Sequence, residues 1–129
     1  MSVVDVVQRQ VAAYNEHDLE SFVASYSDVV EIFRMPSAAP AISGKRQLAE
    51  FYATQRFNIP ELKAEILDRI VSGNKVVDLE RVHGLRADPV EMIATGRAVE
   101  PTHRSTRMLR HRAARQRATI VSFVWRIDF

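Results

Sequence analysis

The stretch over residues 29–52, V-V-E-I-F-R-M-P-S-A-A-P-A-I-S-G-K-R-Q-L-A-E-F-Y, holds a strand pattern and a helix pattern within one short span, joined by a proline-marked loop. Residues 29–35 are rich in β-branched and aromatic side chains, and Pro36 and Pro40 close off any ladder because proline has no N–H to donate. The strand is expected to end by about Met35. Beyond the loop, Ser43 is placed to cap a helix over about 45–56, in which Leu48, Phe51 and Tyr52 recur on one face. The other segments are placed around this unit.

Upstream, Val3, Val7, Val11 and Tyr14 recur at spacings of four, four and three, the stripe of an amphipathic helix over about 2–15. Gln10 falls on that stripe, where a polar residue more often finds a structural partner than a functional role. Asp18 is placed to cap a second short helix whose Leu19, Phe22, Val23 and Tyr26 share a face. Downstream, N-I-P at 58–60 breaks the helical pattern, and residues 62–71 read as a long strand. The turn S-G-N-K at 72–75 leads into a partner strand over 76–85, an antiparallel hairpin. The clearest strand is 120–129, where Val121, Phe123, Trp125, Ile127 and Phe129 alternate with Ile120, Ser122, Val124 and Arg126. Because Ile120 and Val124 make the second face partly apolar, both faces of the sheet are expected to be covered, one by helices and the other by a second subunit.

At 129 residues, 47% hydrophobic and 26% charged, the chain fits a single domain over 1–129 with one core. No apolar run approaches the roughly 20 residues a membrane span requires. The opening M-S-V-V-D-V-V lacks the basic flank and cleavage site of a secretory signal, so a cytoplasmic location is expected. Zero cysteines exclude disulfides and thiolate chemistry. His17, His83, His103 and His111 show no H-x-x-x-H spacing, so no metal is expected. Without a glycine-rich phosphate loop, no nucleotide cofactor is expected either.

The runs A-A-Y-N-E-H-D-L-E-S-F-V-A-S-Y-S-D-V-V from Ala12, G-K-R-Q-L-A-E-F-Y from Gly44 and G-N-K-V-V-D-L-E-R-V-H-G from Gly73 resemble the nuclear-transport-factor-2-like superfamily, in its SnoaL-like and steroid-isomerase-like branch. The resemblance covers about residues 3–95 and resumes at about Ile120. It implies an α+β cone-shaped barrel in the order α-α-β-α-β-β-β-β, with the helices in the concave face of a curved sheet, an apolar pocket between the layers, and a homodimer. Ketosteroid isomerases of this branch use an aspartate base just before the proline of the first strand, a helix tyrosine and a protonated aspartic acid. The matching positions here hold Met35 or Arg34, Gln10 and a residue near Ala94, although Tyr52 matches a pocket tyrosine. The aspartate–arginine–aspartate arrangement of the epoxide-hydrolase branch resembles Glu80-Arg81-Val82-His83, with His83 in one aspartate's place and Ile127 in the other's.

A period of two puts Arg81 and His83 on one strand face with Val77 and Leu79, and Asp78 and Glu80 on the other. If the first face is the inner one, Arg81 and His83 are the candidate catalytic residues, since an imidazole near a guanidinium favours its neutral, basic form. The plainer alternative is that this face meets solvent or a partner subunit, with Arg81 paired to a carboxylate. Asp78 and Glu80 are the alternative acid–base pair, and also fit structural ion pairs. Tyr14, Tyr26, Phe51 and Tyr52 from the helical stripes, with Phe33, Met35 and Trp125 from the strands, are the candidate pocket wall for a small apolar, cyclic ligand. The expected function is a pocket protein of isomerase or hydrolase type lacking the branch's aspartate base, or else a non-catalytic dimeric ligand-binding or structural domain.

The net charge of +2 conceals an asymmetry: residues 1–95 carry 10 Lys+Arg against 14 Asp+Glu, whereas residues 96–118 carry 7 against 1. Nucleic-acid binding is not expected, because the arginine-rich segment has no aromatic residue on which bases stack. Residues 90–95 are expected to form the fifth strand through Val90, Met92 and Ile93, leaving the arginine-rich segment as an excursion in which 105–117 reads as a helix. A competing register makes 106–112 the strand, and burial of Met92 against that of Met108 distinguishes the two.

Overall fold

The computed structural model describes residues 3–99 and 119–127. Helices α1 (Val3–Glu16) and α2 (Leu19–Ala24) precede β1 (Tyr26–Arg34); a two-residue β2 (Ile42–Ser43) and α3 (Gly44–Gln55) follow, then β3 (Lys63–Ser72), β4 (Lys75–His83), β5 (Val90–Val99) and β6 (Thr119–Ile127). The strands form one six-stranded sheet in the order β2-β1-β6-β5-β4-β3. Among the described residues, only β1 and β6 pair in parallel. The helices pack on one face of this open, mixed sheet, the α+β cone expected from the sequence.

α1 buries Val6, Val7, Gln10, Val11, Ala13 and Tyr14. Asn15 fixes its end, donating to the Ala64 carbonyl at 3.0 Å and accepting from the Ala64 N–H at 2.7 Å. Asp18 caps α2, its carboxylate accepting from the Ser21 N–H at 3.1 Å. Tyr26, expected on the α2 face, instead opens β1, with its ring centroid 5.1 Å from that of Phe22. Ser43 occupies the N-cap of α3 without a side-chain cap; the Gln47 side chain reaches back to accept from the Ser43 N–H at 2.8 Å. That bond is a reversed form of capping, a later side chain tying the helix entrance.

Two bulges decide which side chains face inward. The β3–β4 register shifts between Ile66 and Asp68, so Leu67 is an extra residue and the faces of β3 exchange. Before the bulge, Ala64 and Ile66 stand opposite Val82 and Glu80; after it, Arg69 stands opposite Asp78 on that same inner face. In β6, Ser122 pairs with Arg97 and Ile120 with Ala98, leaving Val121 as the extra residue. The unbroken alternation expected over 120–129 is therefore corrected: Ile120 and Phe123, 0% and 3% exposed, both lie in the core. Of the two residues that pointed to a covered second face, Val124 alone lies on the outer side.

β5 pairs with β4 from Val90 through Arg97, and Met92 is buried. The fifth strand thus begins where expected and continues through 96–99, which the sequence reading gave to the arginine-rich excursion. The expected helix over 105–117, the competing strand over 106–112 and Met108 lie outside the described residues. Among the described residues, no helix is long and apolar enough to cross a membrane.

Candidate functional site

A cavity of about 320 Å³ lies between the helices and the inner face of the sheet. Gln10 and Tyr14 reach it from α1, Tyr52 from α3 and Glu80 from β4, while Val82, Met92 and Phe123 supply apolar wall. Its more exposed members are Arg34 and Met35 at the end of β1, Arg56 at the C-cap of α3 and Leu85 beyond β4, which together mark the mouth. Behind the wall stands an aromatic cluster: Phe22 lies 4.4 Å from Tyr52 and 6.1 Å from Tyr14, centroid to centroid.

Of the seven residues expected to form the wall, Tyr14, Met35 and Tyr52 line the cavity. Tyr26 is fully buried behind it. Phe51 is half-buried, with its ring against Tyr52 at 5.3 Å and beneath the Arg56 guanidinium at 4.9 Å. Phe33 lies on the outer side of β1, because Ile32 takes the inner position. Trp125 contributes its backbone to β6, and its side chain lies outside the described residues.

Of the two alternatives for Arg81 and His83, the inward catalytic pair is corrected and the plainer one holds: their face is the outer one, and Arg81 pairs with a carboxylate. On β4 the buried positions are Val76, Asp78, Glu80 and Val82; Arg81 and His83 share the outer face with Val77 and Leu79. There, Glu65, Arg81 and Glu91 stand opposite one another on three adjacent strands. Arg81 Nη2 donates to Glu91 Oε2 at 2.9 Å, and its Nη1 lies 3.8 Å from Glu65 Oε1. His83 Nε2 lies 3.4 Å from the same Glu65 oxygen. The physical reason is the Leu67 bulge: it supplies one inward cation, Arg69, whose Nε and Nη2 meet the two carboxylate oxygens of Asp78 at 2.6 and 2.9 Å. The inner face can therefore bury Asp78, while the cations of β4 stay where solvent and carboxylates meet them.

Glu80 is the chemically distinctive group. It is 8% exposed, lines the cavity and has no hydrogen-bond partner among the described residues. Burial, reinforced by the Asp78 charge and opposed by Arg69, pushes its carboxyl up to about 7. Burial likewise raises the Tyr14 phenol, an effect that Arg56 opposes and Glu80 reinforces, so Tyr14 is a protonated donor at neutral pH. Burial also holds the Tyr26 phenol well above its usual range, with the neighbouring Gln10 amide opposing the shift. Although adjacent, these two groups do not meet in hydrogen-bonding geometry, and neither Gln10 Oε1 nor the Tyr26 hydroxyl has a partner among the described residues. No group of three or more His, Asp or Glu among the described residues is arranged to hold a metal.

Sequence reasoning paired Glu80 with Asp78 correctly on one face but did not set that face inward. It missed Arg56 as a site residue, although Arg56 follows Tyr52 by four positions and so continues the same side of α3.

The family model for the SnoaL-like domain matches residues 7–125. The chain belongs to the SnoaL-like family. Solved structures with this NTF2-like architecture superpose over nearly its whole length. An uncharacterised cystatin-fold protein from Novosphingobium aromaticivorans superposes with a TM-score of 0.72 at 17% identity, covering 97% of each chain. A SnoaL-like protein of unknown function from Burkholderia thailandensis gives 0.69 at 14%, covering 98% of this chain and 94% of the other. A ketosteroid isomerase-like protein from Erwinia carotovora atroseptica gives 0.64 at 15%, over the same shares. At these identities the likeness is one of fold. Among curated proteins no sequence match was found.

Proposed function

We propose that this SnoaL-like domain binds a small apolar, cyclic molecule in its cavity, and that Glu80 moves a proton on it in an isomerase- or hydrolase-type reaction run without an aspartate at the end of β1. The observation that carries the reading is a buried, cavity-facing carboxyl held at about 7. At that value both forms are populated at neutral pH, so one group can take a proton from carbon beside a carbonyl and return it to another carbon. Charge that develops on the carbonyl oxygen needs a donor already in place, and the protonated Tyr14 hydroxyl is such a donor.

Purified protein incubated with cyclic β,γ-unsaturated ketones and cyclic epoxides tests this. The expected result is a rate that rises with pH through about 7 and falls at least about 100-fold in Glu80→Gln, with ligand affinity retained. Binding without turnover at any pH would leave a binding domain and end the catalytic part. Unchanged rates in Glu80→Gln would remove Glu80 from the chemistry.

The outer face supports a second element of the reading, pairing of two copies. Ile70, Val77, Thr95, Val124 and Phe33 occupy one cross-strand row over five strands. A mostly apolar row of that span is a natural surface for a second sheet.

A further inference from the structure

The mouth of the cavity differs in charge from its interior. Arg34, the last residue of β1, and Arg56, the C-cap of α3, both line the opening, and neither has a carboxylate partner among the described residues. Arg69 and Arg81, by contrast, are held by Asp78 and by Glu91 with Glu65. Arg56 is also oriented before any ligand arrives. Its guanidinium lies over the Phe51 ring at 4.9 Å, and Nη1 donates to the Gln55 carbonyl at 2.8 Å, which leaves the rest of the fork unspent. A planar fork fixed in this way loses little freedom on meeting a planar anion.

Behind the two cations the wall is apolar through Val82, Met92 and Phe123, and its one acidic member among the described residues, Glu80, is set inside. An anion is therefore favoured at the mouth, and an uncharged body within.

We propose that the ligand of this cavity is an amphiphilic carboxylic acid, with its apolar ring inside and its carboxylate at the mouth between Arg34 and Arg56. The inference rests on the reading of the cavity as a ligand site, and it names the class of molecule that enters. The carboxylate anchors and orients; it is not the reacting end, which lies toward Glu80 and Tyr14. A ligand held by its outer end presents its ring to the inner groups in one direction, so the arginines act as positioning residues.

Isothermal titration of the full chain with 1-naphthylacetate and with 1-naphthylacetamide, near-isosteres that differ in charge, separates the possibilities. At about pH 6 and low salt, Glu80 retains its proton while the acid probe is ionised. The expected result is that the acid binds at least about tenfold tighter than the amide, the size of one charge-assisted hydrogen bond at a partly exposed site. The preference should shrink as salt is raised. It should vanish in the Arg34→Gln/Arg56→Gln pair and survive in part in Arg56→Lys, with amide affinity unchanged throughout. Should the double variant fail to fold by circular dichroism, Arg34→Gln alone must still narrow the preference. Equal affinity for acid and amide, or a preference that persists in the variants, overturns the carboxylate while leaving the cavity reading intact. Failure of both probes to bind overturns both.

Discussion

Asp78 and Glu80, two positions apart on the inner face of β4, differ in that Arg69 grips both oxygens of Asp78, whereas Glu80 faces the cavity with no such cation. The difference has a thermodynamic signature. With its carboxyl raised from 4.5 to about 7, folded Glu80 keeps a proton that the unfolded chain has already lost within that window. Stability from this group is therefore unaffected below about 4.5, falls as pH rises through the window, and stays at its reduced level above about 7. The full difference is on the order of 3 kcal/mol. Urea denaturation should find Glu80→Gln more stable than the native chain at about pH 8 and close to it at about pH 4.5. Parallel stability curves for the two proteins across that range would contradict the burial argument.

Because Asp78 raises Glu80 and Arg69 lowers it, removing each should move the Glu80 titration in opposite directions. Asp78→Asn is expected to bring the midpoint below about 7, and Arg69→Gln to carry it higher. Both variants lose stability, by about 3 kcal/mol, because each leaves a partner of a largely buried pair without its counter-charge. Carbon-detected NMR titration of the Glu80 carboxyl reads the midpoint directly. Shifts of the same sign would contradict the opposed roles of the two charges, and no shift in either variant would show that burial alone sets the value.

Arg81 and His83 supply the complementary expectation. Their half-exposed pairs with Glu65 and Glu91 lie on the face away from the cavity. Arg81→Ala and His83→Ala should leave binding of 1-naphthylacetate unchanged and the melting temperature nearly so, since exposed ion pairs contribute little. A tenfold loss of affinity in either variant would place their face at the ligand after all.

The reversal of those two faces shows where sequence reading stopped. The helical stripes of Val7, Val11 and Tyr14, the Asp18 cap and the strand before Pro36 each rest on local chemistry, and each was legible. The run V-V-D-L-E-R-V-H is different: one face holds Val76, Asp78, Glu80 and Val82, the other Val77, Leu79, Arg81 and His83. Each face has two apolar and two polar members, so a period of two groups the residues without saying which group is inside. The choice is made by a neighbour, when the Leu67 bulge turns Arg69 inward to meet Asp78. A bulge leaves little trace in composition, and the Val121 bulge that carries Ile120 into the core escaped notice for the same reason. The arginines at the mouth are contributed by the ends of two elements distant in sequence, a juxtaposition that only the fold creates.

The outer row yields the last prediction. Ile70 stands opposite Val77, Val77 opposite Thr95, and Val124 opposite both Thr95 and Phe33, so the side chains form one line across β3, β4, β5, β6 and β1. Ile70 is 63% exposed at one end of that line, and Leu79 and Ile93 widen the apolar strip alongside it. Two such faces packed together would remove these side chains from water in both copies, and the ion pairs among Glu65, Arg81 and Glu91 would lie toward the rim. Light scattering at micromolar concentration should therefore give about twice the chain mass of 14.7 kDa. Val77→Asp combined with Val124→Asp should return it to a single chain, because a dimer would bury those carboxylates without partners, while a solvated outer face in the monomer would not. Retention of the dimer in that variant would move the interface to another surface, and a native chain that scatters as a monomer would leave the row solvent-facing.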